Sequence, residues 1–248
     1  MRFHPRLWPT LFTIPALLIL VGLGTWQVER LYWKEGLIAA RAAAVAAPPI
    51  DLPATLDEAT RLDLRHVHAA GTFLHEDEFD VVATAENGDS GFHIVTPLRL
   101  DDGTGRIVLV NRGFVPYEMR SPATRPQSEV PGRVEVEGLL RLPPEAGRPW
   151  YMPADNPGTN IWLRLEPDAM AKARGLQDVL PFYVDAGPAP NPGGWPRGGT
   201  TVLDLPNNHL QYAITWYALA AALLVIYILY HRRSSSSSAP AEKGTAPT

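Results

Sequence analysis

Two stretches of this chain are long and apolar enough to cross a bilayer, and they constrain the fold more than any other feature. Leu11 to Val28 and Tyr212 to Tyr230 contain no charged residue. Each approaches the ~20 residues a helix needs to span the hydrocarbon core. The residues between them read as ordinary soluble protein. A cleaved signal peptide competes for the first run, because Arg2 and Arg6 precede an apolar stretch. The sequence that follows, Thr25-Trp26-Gln27-Val28-Glu29-Arg30, is bulky and charged where a cleavage site needs small residues, so the run reads as an uncleaved anchor.

Charge sets the orientation. His231-Arg232-Arg233 follows the second run, whereas the nearest cation before it is Arg197. Cationic residues just past a span favour the cytoplasmic side. Two spans then place both termini inside and the central segment outside. Ten residues precede the first run, too few for a mitochondrial transit peptide, which points to a bacterial inner membrane. The expected organisation is a cytoplasmic N-terminus over 1–10, a transmembrane helix over 11–28, a periplasmic β-rich domain with a helical extension of the first helix over 29–211, a second transmembrane helix over 212–230, and a disordered cytoplasmic tail over 231–248.

The central segment holds 16 Lys+Arg against 24 Asp+Glu between Leu31 and Asn208, so it repels phosphate backbones and argues against a nucleic-acid partner. The chain has no cysteine, which excludes disulfide scaffolds, thiolate metal sites and thiol redox chemistry. Helix formers from Trp26 to Ala47 extend the first helix beyond the membrane until Pro48-Pro49. Short β-branched and aromatic runs predict strands at Val67–Phe73, Phe79–Ala83, Phe92–Leu100, Arg106–Arg112, Arg133–Leu140 and Leu180–Asp185. Asp101 to Gly105 reads as a hairpin loop. Pro167 to Arg174, closed by Gly175, reads as a helix. The fold class is therefore an α+β membrane protein, with two transmembrane helices flanking a mainly antiparallel β domain.

Seven histidines are the candidate metal or haem ligands. His4 and His231 flank the membrane as interfacial polar residues. His66 and His68 lie two apart on a strand and lack a third ligand, which favours a plain surface alternation. His75 sits in an acidic, solvated turn, and His93 alternates within a strand as a half-buried residue. His209 stands at the outer mouth of the second run. On a helix it shares a face with Ala213, Trp216 and Ala220. An imidazole above such a groove suits a haem iron whose apolar ring lies along the helix. An asparagine-capped helix start beside an interfacial histidine is the plainer reading, and spacing alone favours it. Trp26 and Arg30 end the first run on one face with Gly22, where a glycine permits close helix approach. Arg30 suits either a haem propionate or interfacial snorkelling. No nucleophile elbow, phosphate loop or zinc-protease signature occurs, so the chain does not read as an enzyme. Asp102-Gly103-Thr104 is explained by the hairpin turn.

Four segments, in order, resemble the surfeit locus family of cytochrome c oxidase assembly factors. They are Leu23 to Arg30 with Trp33-Lys34, Val95-Thr96-Pro97-Leu98, Val108 to Pro116 including Asn111-Arg112-Gly113-Phe114, and Asn208 to Trp216. Phe114 stands where many members have tryptophan. The resemblance implies a role at the step where haem a enters the oxidase catalytic subunit, with His209 as a haem ligand. It implies three partners, namely that subunit, the haem a synthesis enzyme and the lipid bilayer. Trp216, Trp26 and Arg30 are then the further candidate cofactor contacts. Asn111, Arg112 and Gly113 are candidates for orienting the domain on a partner, or simply for ending a strand. A scaffold that steadies an oxidase intermediate without touching haem is the alternative. A two-span sensor lacks an output domain in the serine-rich tail.

Overall fold

The computed structural model describes residues 6–85, 87–144 and 149–233. The expectations for His4 and for most of the tail fall on residues 1–5 and 234–248, outside those described. The described residues divide into two compact units, one drawn from Met1–Ala39 with Asp204–Thr248 and the other from Ala40–Leu203.

The first unit is a helix pair. Helix α1 runs Leu7–Ala46, 40 residues, which at 1.5 Å per residue is roughly 60 Å, about twice a bilayer core. It therefore continues well past the apolar run, as its helix-forming composition predicts. Pro15 lies inside it, at a position that has no N–H to donate. The second long helix, α4, runs His209–Arg233. Both are long and apolar enough to cross a membrane, and most of their large side chains face outward. The helices are antiparallel. Thr10 and Tyr227 hydroxyls meet at 2.7 Å, and Thr25 meets Tyr217 at 3.1 Å. The buried positions on α4 are Ala213, Ala220 and His231. Ala213 and Ala220 lie seven apart on one face, where small side chains allow two backbones to come close.

In the second unit, eight strands form one sheet among the described residues. They are β1 (Ile50–Asp51), β2 (His66–Phe73), β3 (Phe79–Thr84), β4 (Ser90–Leu100), β5 (Ile107–Pro116), β6 (Arg133–Arg141), β7 (Ile161–Trp162) and β8 (Val179–Ala186). A short helix α2 (Leu56–Thr60) and helix α3 (Pro167–Arg174) complete it. The strand order is β1-β2-β6-β8-β5-β4-β3-β7, with β2 also paired to β4. Strands β2, β6, β8, β5 and β4 thus close on themselves as a small barrel. β4 is long enough to serve two neighbours along one edge. Phe79 to Thr84 of β3 pair with its first half, and Gly71 to Phe73 of β2 pair with its end.

The sheet is mainly antiparallel, as its short linking turns predict, but β1–β2, β3–β7 and β5–β8 are parallel. β5 is buried along nearly its whole length, including the polar residues Asn111 and Arg112 that interrupt its apolar run. Val67, Leu98, Val108, Val110, Leu140 and Phe182 fill one core cluster. A second cluster joins Phe79, Leu109 and Trp162 to Met170 of α3. Each such fully buried side chain contributes on the order of 1.5–3 kcal/mol.

Candidate functional site

His209 is the first residue of α4, and the Asn208 carbonyl before it accepts the Tyr212 N–H. The helix therefore starts where the asparagines predicted. The ring of His209 is fixed from the other helix, since its Nδ1 lies 2.6 Å from Oε1 of Gln27. An amide oxygen only accepts, so Nδ1 carries the proton and donates it. The lone pair is left on Nε2, the form in which imidazole ligates a metal. Gln27 is only 9 % exposed, which makes it a positioned partner rather than a surface one. A second-layer hydrogen bond of this kind sets a ligating histidine's tautomer and orientation.

The close helix approach lies at Gly24, not at Gly22. A Cβ on Gly24 would sit 2.8 Å from the Tyr217 ring, whereas one on Gly22 would meet nothing within 4 Å. Gly24 and Gln27 are three apart and share the face toward α4, while Gly22 turns outward. Trp216 is half-buried on the stripe of His209, Ala213 and Ala220, as the spacing predicts. Trp26 is 53 % exposed, and the Arg30 guanidinium lies 3.7 Å above the Trp33 ring. Both side chains are exposed.

Asn111, Arg112 and Gly113 lie within β5, which continues to Pro116, so they do not end the strand as the sequence suggested. Asn111 pairs with Val95 and Gly113 with Ile94, so Arg112 is the extra residue of a bulge. A bulge re-aims the side chain it carries. The Asn111 amide donates to Asp185 at 2.8 Å, and the Gly113 N–H donates back to Asn111 Oδ1 at 3.1 Å. Asp185 also accepts from Arg141 and from the Thr201 hydroxyl. At Gly113, φ is +120°, and a Cβ there would lie 1.9 Å from the Arg197 carbonyl oxygen. Only glycine lets the returning chain pair with Phe114 at this point.

Arg112 is 2 % exposed. One of its terminal nitrogens donates to the Ser128 carbonyl at 2.6 Å and to Asn191 at 3.2 Å, and its guanidinium lies 4.8 Å from the Phe73 ring centre. Burial lowers its pKa to about 10, so it stays cationic at neutral pH. Close by, Arg125 and Glu78 form a buried ion pair in which Arg125 reaches both carboxylate oxygens. Burial nonetheless holds the Glu78 carboxyl above its ordinary range. His75 is not the solvated turn residue its acidic neighbours suggest. It packs on Phe73, and its Nε2 lies 3.1 Å from the Val130 carbonyl. His93 is half-buried, as expected, and burial lowers its pKa. His66 and His68 face the carboxylates of Glu137 and Asp51 respectively. Among the described residues, no group of three or more His, Cys, Asp or Glu is placed to hold a metal ion.

Residues 14–221 match the model of the SURF1 family. Surfeit locus protein 1 of Rattus norvegicus is 41 % identical over 229 residues, covering 87 % of this chain and 72 % of that protein. The Homo sapiens protein of the same name is 39 % identical over 216 residues, covering 81 % and 70 %. A SURF1-like protein of Monosiga brevicollis is 35 % identical over 222 residues, covering 85 % and 82 %.

Proposed function

The chain belongs to the SURF1 family of cytochrome c oxidase assembly factors, and from that membership we propose that it binds haem a and assists its insertion into the oxidase catalytic subunit. The observation that carries this reading is the 2.6 Å bond from His209 Nδ1 to Gln27, which leaves Nε2 with its lone pair. Haem a would arrive as cargo and bring its own iron. What this chain supplies is an imidazole of fixed tautomer at the head of a helix that also carries half-buried Trp216, while Ala213 and Ala220 are buried. Half-buried Trp216 offers an apolar face to a macrocycle, and an axial imidazole needs no further protein ligand. Trp26 is a candidate for the ring edge. Arg30 is a candidate for a propionate once it leaves Trp33.

The protein acts as a carrier in this reading, not as an enzyme. Its partners are the oxidase catalytic subunit, the haem a synthesis enzyme and the bilayer. Asn111, Arg112 and Gly113 shape the bulge within β5, and through it the surface offered to the subunit. The basic residues that follow the apolar part of α4 support cytoplasmic termini and a periplasmic domain in a bacterial inner membrane.

The same His209–Gln27 bond also ties α1 to α4, which is the specific support for a scaffold that never touches haem. Titrating haem a into the detergent-purified colourless protein separates the two. A saturable spectral change near one equivalent supports the carrier, and its absence leaves the scaffold.

A further inference from the structure

Three cross-strand pairs gather polar side chains on one part of the sheet. Arg141 of β6 stands opposite Tyr183 of β8, Asn111 of β5 opposite Asp185, and His93 of β4 opposite Val81 of β3. Directly opposed residues share a face. Tyr183 and Asp185 alternate with Phe182 and Val184, which belong to the core cluster of Val67 and Leu140, so they point away from it. The Thr200-Thr201 segment packs against them. Its Thr201 hydroxyl donates to Asp185, and its Thr200 hydroxyl lies 3.4 Å from His93 Nε2. These groups line a cavity of about 220 Å³, whose apolar wall includes Val81 and Leu165.

The hydrogen bonds of this wall are unevenly used. Asp185 accepts from Asn111, Arg141 and Thr201. Tyr183, by contrast, makes no hydrogen bond among the described residues. Burial, and then the Asp185 carboxylate, raise its pKa to about 12, so the hydroxyl keeps its proton. Arg141 bonds Asp185 through Nη1, and its Nη2 meets no acceptor among the described residues. Neither donor is sealed off. The unpartnered atoms without surface here are Arg141 Nε and Asp63 Oδ1, whereas the Tyr183 hydroxyl and Arg141 Nη2 stay open to solvent.

Charge selects the guest. Arg141 faces both Asp185 and Asp63, whose oxygen lies 3.8 Å from Nε, so an anion meets two carboxylates beside one cation. A cation meets the arginine. A hydrocarbon leaves both donors unpaired. What fits is a neutral molecule with one strong acceptor oxygen. An apolar cavity of ~150 Å³ holds benzene, so this one admits roughly nine non-hydrogen atoms.

We propose that this cavity binds a small neutral carbonyl compound, an amide or a ketone, whose oxygen accepts from the Tyr183 hydroxyl and Arg141 Nη2 while its body lies against Val81 and Leu165. All the lining residues belong to the second unit, and the site is independent of His209 and of the haem reading.

The test is an NMR titration of the full-length detergent-solubilised protein, carrying carbon-13 in its histidine rings, with benzamide and separately with cyclohexanone. His93 lines the cavity and reports on it, and its signal is identified by its loss in His93→Asn. At least one carbonyl compound should shift that signal saturably. Benzoate, benzylammonium and ethylbenzene, of similar size, should bind at least tenfold more weakly. Tyr183→Phe removes the hydroxyl alone and should weaken the carbonyl compound fivefold or more, with the other histidine signals of the free protein unmoved. No saturable shift by either carbonyl compound, affinity for any of the three controls equal to or above theirs, or undiminished binding by Tyr183→Phe would overturn the proposal.

Discussion

His209, the first residue of α4, donates its Nδ1 proton to Oε1 of Gln27 on α1, at 2.6 Å. One contact therefore does two jobs, joining the helices at one end and selecting the ring nitrogen left free. Replacing Gln27 with leucine keeps the packing volume and removes the acceptor. Loss of such a second-layer partner typically costs roughly 10–100-fold in metal affinity. Gln27→Leu should weaken haem a binding by that order, read by optical titration, while the protein stays folded. Unchanged affinity would mean that the bond serves only the helix pair.

Gly113 should tolerate no side chain. Its positive φ and the Arg197 carbonyl oxygen 1.9 Å from the Cβ position act together. Backbone strain and overpacking predict a loss of about 2–4 kcal/mol for Gly113→Ala. Thermal unfolding in detergent checks it, and an unshifted midpoint would contradict the close approach.

The Glu78–Arg125 pair is buried on both sides. Breaking one half leaves a charge stranded in low dielectric, so Glu78→Leu should destabilise the β unit by about 3–5 kcal/mol. A double variant, Glu78→Leu with Arg125→Met, should recover part of that loss, because Arg125 is then no longer left without its carboxylate. Additive losses in the two single variants would contradict the coupling.

Burial keeps the His93 pKa below 6.5. The unfolded chain therefore takes up more protons than the folded one as pH falls through that value. The contribution of His93 is complete above about pH 6.5 and is lost as pH drops toward its folded pKa. Glu78 and Asp80, both raised by burial, act oppositely, with contributions that grow as pH falls toward the ordinary carboxylate range. Comparing variants isolates the histidine. His93→Asn should lose less stability than wild type between about pH 7 and pH 5, measured by chemical denaturation. Identical slopes would place His93 in water.

The elements were legible in the sequence where pattern is local. The apolar runs, the strand cores and the helix Pro167–Arg174 follow from composition and period. So does the α4 stripe, because small residues recur at helical spacing. The two-residue strands β1 and β7 were not legible, being too short to show a pattern, nor was the closure of the barrel through β2 and β4, which is a long-range pairing. In the candidate site, His209 could be read from its place above a span. Gln27 could not be, since it lies on another helix 182 residues away. Choosing Gly22 over Gly24 followed from the spacing to Trp26 and Arg30, residues that the helix contact does not use. Arg112 reads as a turn residue before glycine, and only the bulge opposite Ile94 and Val95 sends it into the interior. The short chain around His75 reads as acidic and solvated, yet Phe73 and Val130 fold against it.

The most direct measurement is the optical spectrum of the protein purified in detergent after co-expression with the haem a synthesis enzymes, for wild type and His209→Ala. The account predicts a haem a band in wild type that is lost or shifted in the variant, with both proteins folded. A colourless wild type, or a band unchanged by His209→Ala, would contradict a carrier ligated by His209.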